Sequence, residues 1–374
     1  MSNSALISIV IPYYNTRFDF FKEAIDSMLA QSYLNWEAII VNDGSTLQNK
    51  NLLEEYIIKI NEKRISILHL DKNYGQSIAY NKGIEASKGE IVTWLDSDDI
   101  LLPWYLQNLI EAFNSNPNCS IVVSHCYIYL YPYKLQKIWI NKLFPTLFEG
   151  SNGKNRADYI LENLKKNKEL ICPHFTFKKE VFKKIKLDPE LKALEDTDLQ
   201  LQILSDSELL NGLLITPTAG YLYRTYPSYN RVSYKVNLAH KAREKIINKY
   251  KDENLFAFKL IKHWQETSEN WKFCRYINNY LNNGSIINYL RDTCLGTKSI
   301  KDKTQSIKLL VKTILGTNYL LQILGLNLTH IKILALKDNE YSKIKEEFQD
   351  YLTNHKDNQV KLYATKVFKE IFSK

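Results

Sequence analysis

Glu90-Ile91-Val92-Thr93-Trp94-Leu95, running into Asp96-Ser97-Asp98-Asp99, is the stretch on which the reading of this chain turns. Residues 90–95 are short, β-branched and aromatic, the composition of a buried strand. Three carboxylates at the end of such a strand repel one another, and loss of water disfavours their charged forms. A divalent cation relieves both, and Mg²⁺ typically combines one or two carboxylates with substrate phosphates. The run therefore points to a place where metal and phosphate meet. The same residues also read as a turn with a helix cap, Asp99 standing just before Leu101-Leu102-Pro103.

Upstream of this stretch, strand-like and helix-like segments alternate. Leu6–Ile11 is a strand ending at Pro12, and Phe18, Phe21, Ile25, Met28 and Leu29 follow a helical spacing. Trp36–Val41 is a second strand ending in the turn Asn42-Asp43-Gly44-Ser45. Leu52–Ile60 reads as helix, Ile65–Leu70 as strand and Gln76–Ser87 as helix. Downstream, Pro103–Asn114 is helical and Ser120–Tyr129 a strand. This alternation predicts an α/β fold, a mostly parallel sheet with flanking helices. Ligands of such sheets bind at the carboxyl ends of the strands. Three polar turns stand there: Pro12-Tyr13-Tyr14-Asn15, Asn42-Asp43-Gly44-Ser45 and the acidic run.

Residues 130–170 are irregular and aromatic, with Trp139, Phe144 and Phe148, as a functional loop would be. Ile171–Phe177 reads as strand and Lys178–Ile185 as a short helix. Glu195-Asp196 opens an apolar helical run, where acidic residues also suit the helix dipole. From about Lys235 the pattern is helical. Two domains are expected, 1–235 and 236–374.

The 374 residues carry a net charge of +9, placed unevenly. From His240 onward there are 24 Lys+Arg against 14 Asp+Glu, and before it 26 against 27. A basic C-terminal third suits an anionic membrane surface or acceptor, or simply solvated helix faces. Ile307, Leu310, Val311, Ile314 and Leu315 form an apolar stripe among lysines, compatible with an interfacial helix or with packing. Polar interruptions up to Leu336 argue against a membrane-spanning helix. Met1-Ser2-Asn3-Ser4 shows no basic leader, so no secretory signal is expected. The 5 cysteines form no Cys-x-x-Cys pair, which disfavours zinc or a disulfide framework and favours the cytoplasm. No nucleic-acid module is recognisable.

Ser8-Ile9-Val10-Ile11-Pro12-Tyr13-Tyr14-Asn15, Val41-Asn42-Asp43-Gly44-Ser45, Asn73-Tyr74-Gly75 with Asn81-Lys82-Gly83-Ile84, and Trp94-Leu95-Asp96-Ser97-Asp98-Asp99 resemble the family 2 glycosyltransferases of GT-A fold. Phe177–Phe182, Leu187–Leu191, Glu195-Asp196 and Tyr221-Leu222-Tyr223-Arg224 continue the resemblance in order and spacing, over roughly residues 5–235.

The resemblance implies an inverting transfer of sugar from a nucleoside diphosphate donor, usually UDP-linked, to a hydroxyl of a glycan or lipid-linked acceptor. The product would be a cell-surface polysaccharide or lipopolysaccharide, made at the inner face of the cell membrane. On this chain, Pro12, Tyr14 and Asn15 would line the base and Asp43 would accept from it. Asn73, Gly75 and Asn81 would approach ribose and phosphates. Asp96 and Ser97 belong to the donor side, and Asp98 with Asp96 would hold Mn²⁺ or Mg²⁺. Asp196, or next Glu195, would be the catalytic base. Arg224 would neutralise phosphate or fix an acceptor, or lie on the surface, and His174 would meet the acceptor, or pack. Two departures stand out. Tyr80 precedes Asn81 where many members carry Arg, and Thr197-Asp198-Leu199-Gln200 follows the acidic pair where many carry aromatics. The competing classes are a nucleotidyltransferase, disfavoured by Pro12-Tyr13-Tyr14-Asn15 in place of a Gly-rich loop, and a sugar-binding scaffold subunit.

Overall fold

The computed structural model describes residues 5–130, 139–141, 174–225, 236–250, 333–335 and 338–372. The first 95 residues follow the expected alternation. β1 (Ile7–Tyr13), β2 (Trp36–Asp43), β3 (Ile65–Leu70) and β4 (Ile91–Trp94) are parallel, in the order β3-β2-β1-β4. Between them run α1 (Phe18–Leu29), α2 (Leu47–Ile60) and α3 (Gln76–Ala86).

Side chains of a strand alternate between faces, and here both faces are apolar. Ile7, Ile9, Ile11 and Tyr13 join Ala38 and Ile40 under Phe21, Ile25 and Met28 of α1 and Leu53 of α2. Val10, Ile39, Val41 and Val92 face the other way, onto Ala79, Tyr80 and Ile84 of α3. Crossover helices therefore cover both faces, and every strand of the parallel set points its carboxyl end to one edge.

Beyond β4 the sheet is mixed. β5 (Ile100–Leu101) follows the acidic run, then α4 (Tyr105–Ser115), β6 (Ile121–Leu130), β7 (Trp139–Asn141) and β8 (His174–Lys178). β8 is inserted between β4 and β6, antiparallel to both. A 3₁₀ turn over Lys179–Lys183, α5 (Glu195–Ser205) and α6 (Ser207–Asn211) lead into β9 (Leu213–Thr225). β9 runs parallel to β6 and antiparallel to β5. β5 and most of β9 are additions to what the sequence pattern predicts.

The described residues fall into two compact units. Of the second unit the described residues are those of α7 (Val236–Tyr250), which carries buried Ala242, Ile246 and Tyr250 at helical spacing. β10 (Ile333–Ala335), α8 (Asp338–Asn354) and α9 (Asn358–Phe372) instead belong to the first unit. The reason is apolar cover: Ile344, Phe348, Ala364, Val367 and Ile371 pack with Ala30, Ile100, Leu102 and Leu222. The Tyr351 hydroxyl donates to the Ala30 carbonyl at 3.0 Å. No described helix is long and apolar enough to cross a membrane. The stripe at 307–315, and all of the 130–170 segment except residues 130 and 139–141, lie outside the described residues.

Candidate active site

The carboxyl edge of β1, β2 and β4 is a set of turns tied to one another by short polar side chains. Asn15 sits at φ 49° and accepts from the Thr46 backbone at 2.9 Å and from the Asn49 amide at 3.0 Å. Its own N–H donates to the Ser45 hydroxyl, at 3.1 Å. Thr16 and Ser97 share a hydroxyl contact of 2.6 Å, linking the first turn to the acidic one. Gly44, at φ 65°, packs against the backbone of Lys72 and Asn73, where a Cβ would stand 2.2 Å from a carbonyl carbon. Only glycine permits both this φ and this approach. Pro12 and Asn15 are half-buried, while Tyr14 is 51% exposed, free to offer a ring face.

Asp43, expected to accept from a base, is engaged with the protein backbone. Its carboxylate is buried and accepts the backbone N–H of Tyr74 at 2.7 Å and of Gly75 at 2.8 Å. Asp43 thus shapes the 73–75 turn, and the Asn73 amide donates back to the Asp43 carbonyl at 3.4 Å. Asn81 also departs from expectation. Its amide donates to the Leu187 carbonyl at 2.7 Å, and nearby Ser77 donates to the Leu191 carbonyl at 3.2 Å. Together they pin the 187–194 segment, and Lys192 Nζ returns a bond of 2.5 Å to the Tyr74 carbonyl.

The acidic turn divides into half-buried and buried members. Asp96 and Asp98 are half-buried, and Ser97 and Asp99 are buried. Asp96 Oδ1 accepts the Tyr80 hydroxyl at 2.5 Å and the Gln76 amide at 3.2 Å. Tyr80, the departure from the family pattern, therefore grips the turn directly. Asp99 accepts the Tyr221 hydroxyl at 2.5 Å and the Arg224 N–H at 2.7 Å. Burial, then the charges of Asp98 and Asp96, push its carboxyl well above the ordinary carboxylate range. Asp99 is thus a buried anchor of the turn.

Arg224 is buried rather than at the surface. It is 0% exposed, with Nε on the Asp98 carbonyl at 2.6 Å, Nη2 on Glu23 at 2.5 Å and its guanidinium 4.3 Å from the Phe20 ring centre. His174 is corrected in the same sense. It is 4% exposed, and Nε2 donates to the Trp94 carbonyl at 2.6 Å. Nδ1 then accepts the Tyr105 hydroxyl at 2.6 Å, and the ring stacks on Tyr221 at 4.0 Å. Burial drives its pKa down to about 3, so it is a neutral packed residue and does not face an acceptor.

Leu194 adopts φ 60° just before α5, a conformation that costs a non-glycine residue about 1 kcal/mol or more. Glu195 and Asp196 follow, both half-buried. Removal from water, then the charges of Asp196 and Asp96, raise the Glu195 carboxyl to about 8. Asp96 thus acts electrostatically on Glu195, across a hundred residues of chain. Asp196 Oδ1 accepts the Thr197 N–H at 2.7 Å, within the first turn of the helix.

This donor set fits a hard divalent cation. Asp96 and Asp98 supply carboxylate oxygens, and the charge crowded onto the turn is what a cation would offset. No group of three metal-ligating side chains occurs among the described residues, which leaves other positions to phosphate oxygens and water. The residues that sequence reasoning missed are Glu23, Gln76, Tyr80 and Tyr221. Tyr80 carries a signal as a departure from a familiar motif, and Tyr221 as a member of the 221–224 motif, while Glu23 and Gln76 carry none.

Residues 8–186 match the model of the family described as glycosyl transferase family 2. The glycosyl transferase WcaA of Escherichia coli (strain K12), named for colanic acid biosynthesis, is 33% identical over 205 residues, covering 54% of this chain and 68% of that protein. TuaG of Bacillus subtilis (strain 168), a glycosyltransferase named for teichuronic acid biosynthesis, is 43% identical over 94 residues, 25% of this chain and 36% of that one. The mannosyltransferase PcManGT of Pyrobaculum calidifontis, in complex with GDP-Man and Mn²⁺, is similar in structure, with a TM-score of 0.52 at 13% identity, covering 86% of this chain and 84% of that one.

Proposed function

The chain belongs to glycosyl transferase family 2, and from that premise we propose that it moves a sugar, with inversion, from a nucleoside diphosphate donor to a hydroxyl of a surface polysaccharide under assembly. The donor nucleoside would lie along the edge, with Tyr14 stacking on the base and the turns at 42–45 and 73–75 forming its walls. A UDP-linked donor is our first choice, and GDP-linked sugars are the second.

The observation that carries this reading is the meeting of two carboxylate groups from distant parts of the chain. Asp96 and Asp98 stand at the end of β4, and the charge of Asp96 bears on Glu195 at the start of α5. Inverting displacement needs charge handled on both sides of the sugar. The acceptor oxygen attacks the anomeric carbon as the bond to the diphosphate oxygen breaks, and the diphosphate leaves with the electron pair. Asp98 and Asp96 would hold Mn²⁺ or Mg²⁺, which when bound stabilises negative charge on the departing diphosphate. Asp196 would take the hydroxyl proton, with Glu195 the second choice, since a carboxylate within hydrogen-bond reach makes a weak nucleophile competent. Leu194 and the pinned 187–194 segment orient that pair. Work at the inner face of the membrane, on a lipid-linked acceptor, belongs to the same proposal.

The test is thermal shift of the purified chain with UDP, GDP and CMP and their sugars, with and without Mn²⁺. A bound ligand raises apparent stability by mass action, by about 2.7 kcal/mol at a hundredfold excess over Kd. A metal-dependent shift with one nucleoside diphosphate, lost in Asp98→Ala, is the expected result. A folded sample that shifts with none would favour the scaffold reading instead.

A further inference from the structure

We infer that Arg224 and Glu23 form a positioning device for the acidic turn, fixing the backbone at Asp98 and through it the stance of the Asp98 carboxylate; this rests on the metal reading above. Arg224 stands on β9 with no exposure to solvent. Its backbone N–H holds Asp99 and its Nε holds the Asp98 carbonyl. Nη2 meets Glu23 of α1, and Phe20, one helical turn back, lies under the guanidinium. Three neighbours at different angles are met by one planar fork, which a lysine ammonium does not reproduce.

Stability alone does not account for this pair. A buried ion pair gains little over a well-packed apolar substitute of similar volume, because desolvation offsets the attraction. What the fork supplies is geometry. Tyr221, three residues earlier on β9, holds the Asp96 N–H and the Asp99 carboxylate. One strand thus fixes residues 96 and 99 by Tyr221 and residues 98 and 99 by Arg224. The backbone at Asp98 is held by a side chain whose own position is set between α1 and β9, and the stance of the Asp98 carboxylate follows from it.

The sign of the effect separates positioning from simple electrostatics. Arg224→Met removes a positive charge beside the turn, which on charge alone strengthens cation binding. Loss of positioning weakens it. Arg224→Lys keeps the charge and loses the fork, so charge alone leaves binding unchanged while positioning again predicts weakening.

Mn²⁺ binding to the full chain, followed by the EPR signal of free Mn²⁺ with UDP or GDP present, reads this directly. The expected result is that half-saturation rises about tenfold in both variants, the worth of one charge-assisted hydrogen bond. Circular dichroism and melting temperature report folding. Should Arg224→Met not fold, Arg224→Lys decides. Unchanged or tighter Mn²⁺ binding in a folded variant overturns the inference. Absence of Mn²⁺ binding in the unsubstituted chain instead overturns the metal reading, and the inference with it.

Discussion

His174 allows one consequence of the fold to be worked through in energy. Its ring is enclosed by Trp94, Tyr105 and Tyr221, with both nitrogens engaged, and burial holds it neutral with a pKa of about 3. In the unfolded chain an ordinary histidine takes up its proton near pH 6.5. Between those values the unfolded state binds a proton that the native state refuses, so stability falls as pH falls. From pH 7 to pH 5 the loss from this one group is about 2 kcal/mol, from 1.36 kcal/mol per pH unit below 6.5. Asp99 and Glu195 work in the opposite sense, because their raised native pKa values let the folded chain keep protons that the unfolded chain releases. The difference between the unsubstituted chain and His174→Phe isolates the histidine, since the other groups are common to both. Phenylalanine keeps a ring against Tyr221 but does not titrate. Urea unfolding at pH 7, 6 and 5 should show the stability gap between the two proteins narrowing by about 2 kcal/mol at pH 5. A gap constant to within about 0.5 kcal/mol would refute the account, placing His174 where it protonates freely.

Three further outcomes are expected. Gly44→Ala should destabilise by about 2 kcal/mol or more in urea unfolding and weaken nucleotide binding, because φ 65° and a Cβ 2.2 Å from Lys72 force the 72–75 turn to move. Asp43→Asn should raise the donor KM with little change in kcat, since an amide nitrogen would face a backbone N–H in place of a charge-assisted bond worth about 2 kcal/mol. Phe348→Ala should cost about 3–5 kcal/mol by leaving a cavity beside Ile100 and Leu102, seen as a lowered melting temperature.

The parallel half of the fold is legible because its signal is local. Ile7, Ile9, Ile11 and Val10 alternate between two apolar faces within one short segment, and Phe21, Ile25 and Met28 repeat at helical spacing. β9 was reduced to a short motif because Pro217 and Gly220 interrupt its pattern, while its partners, β5 and β6, lie far away in sequence. The polar residues show the same limit from another side. Asn81, Asp43, Arg224 and His174 all look like ligand contacts in a motif, yet each is engaged by protein groups that no local window contains. The Asn81 amide meets the Leu187 carbonyl, and His174 Nε2 meets the Trp94 carbonyl. A buried carbonyl's need for a donor is set by tertiary packing, so the residue type is visible while its partner is not. Tyr80 departs from a familiar motif, and the bond of its hydroxyl to Asp96 depends on the fold bringing α3 to the end of β4.

The apolar cover of Ile100 and Leu102 comes from Phe348, Ala364, Val367 and Ile371. On a ribosome those residues emerge long after the acidic turn they stand behind, whereas β1, β2 and the helices over them can pack within the first stretch of synthesis. The first two turns of the edge are therefore an early product of translation, and the acidic turn a late one. A chain interrupted before Phe348 would leave Ile100 and Leu102 without that cover. Such a fragment would be marked by aggregation and proteolysis rather than by slow sugar transfer.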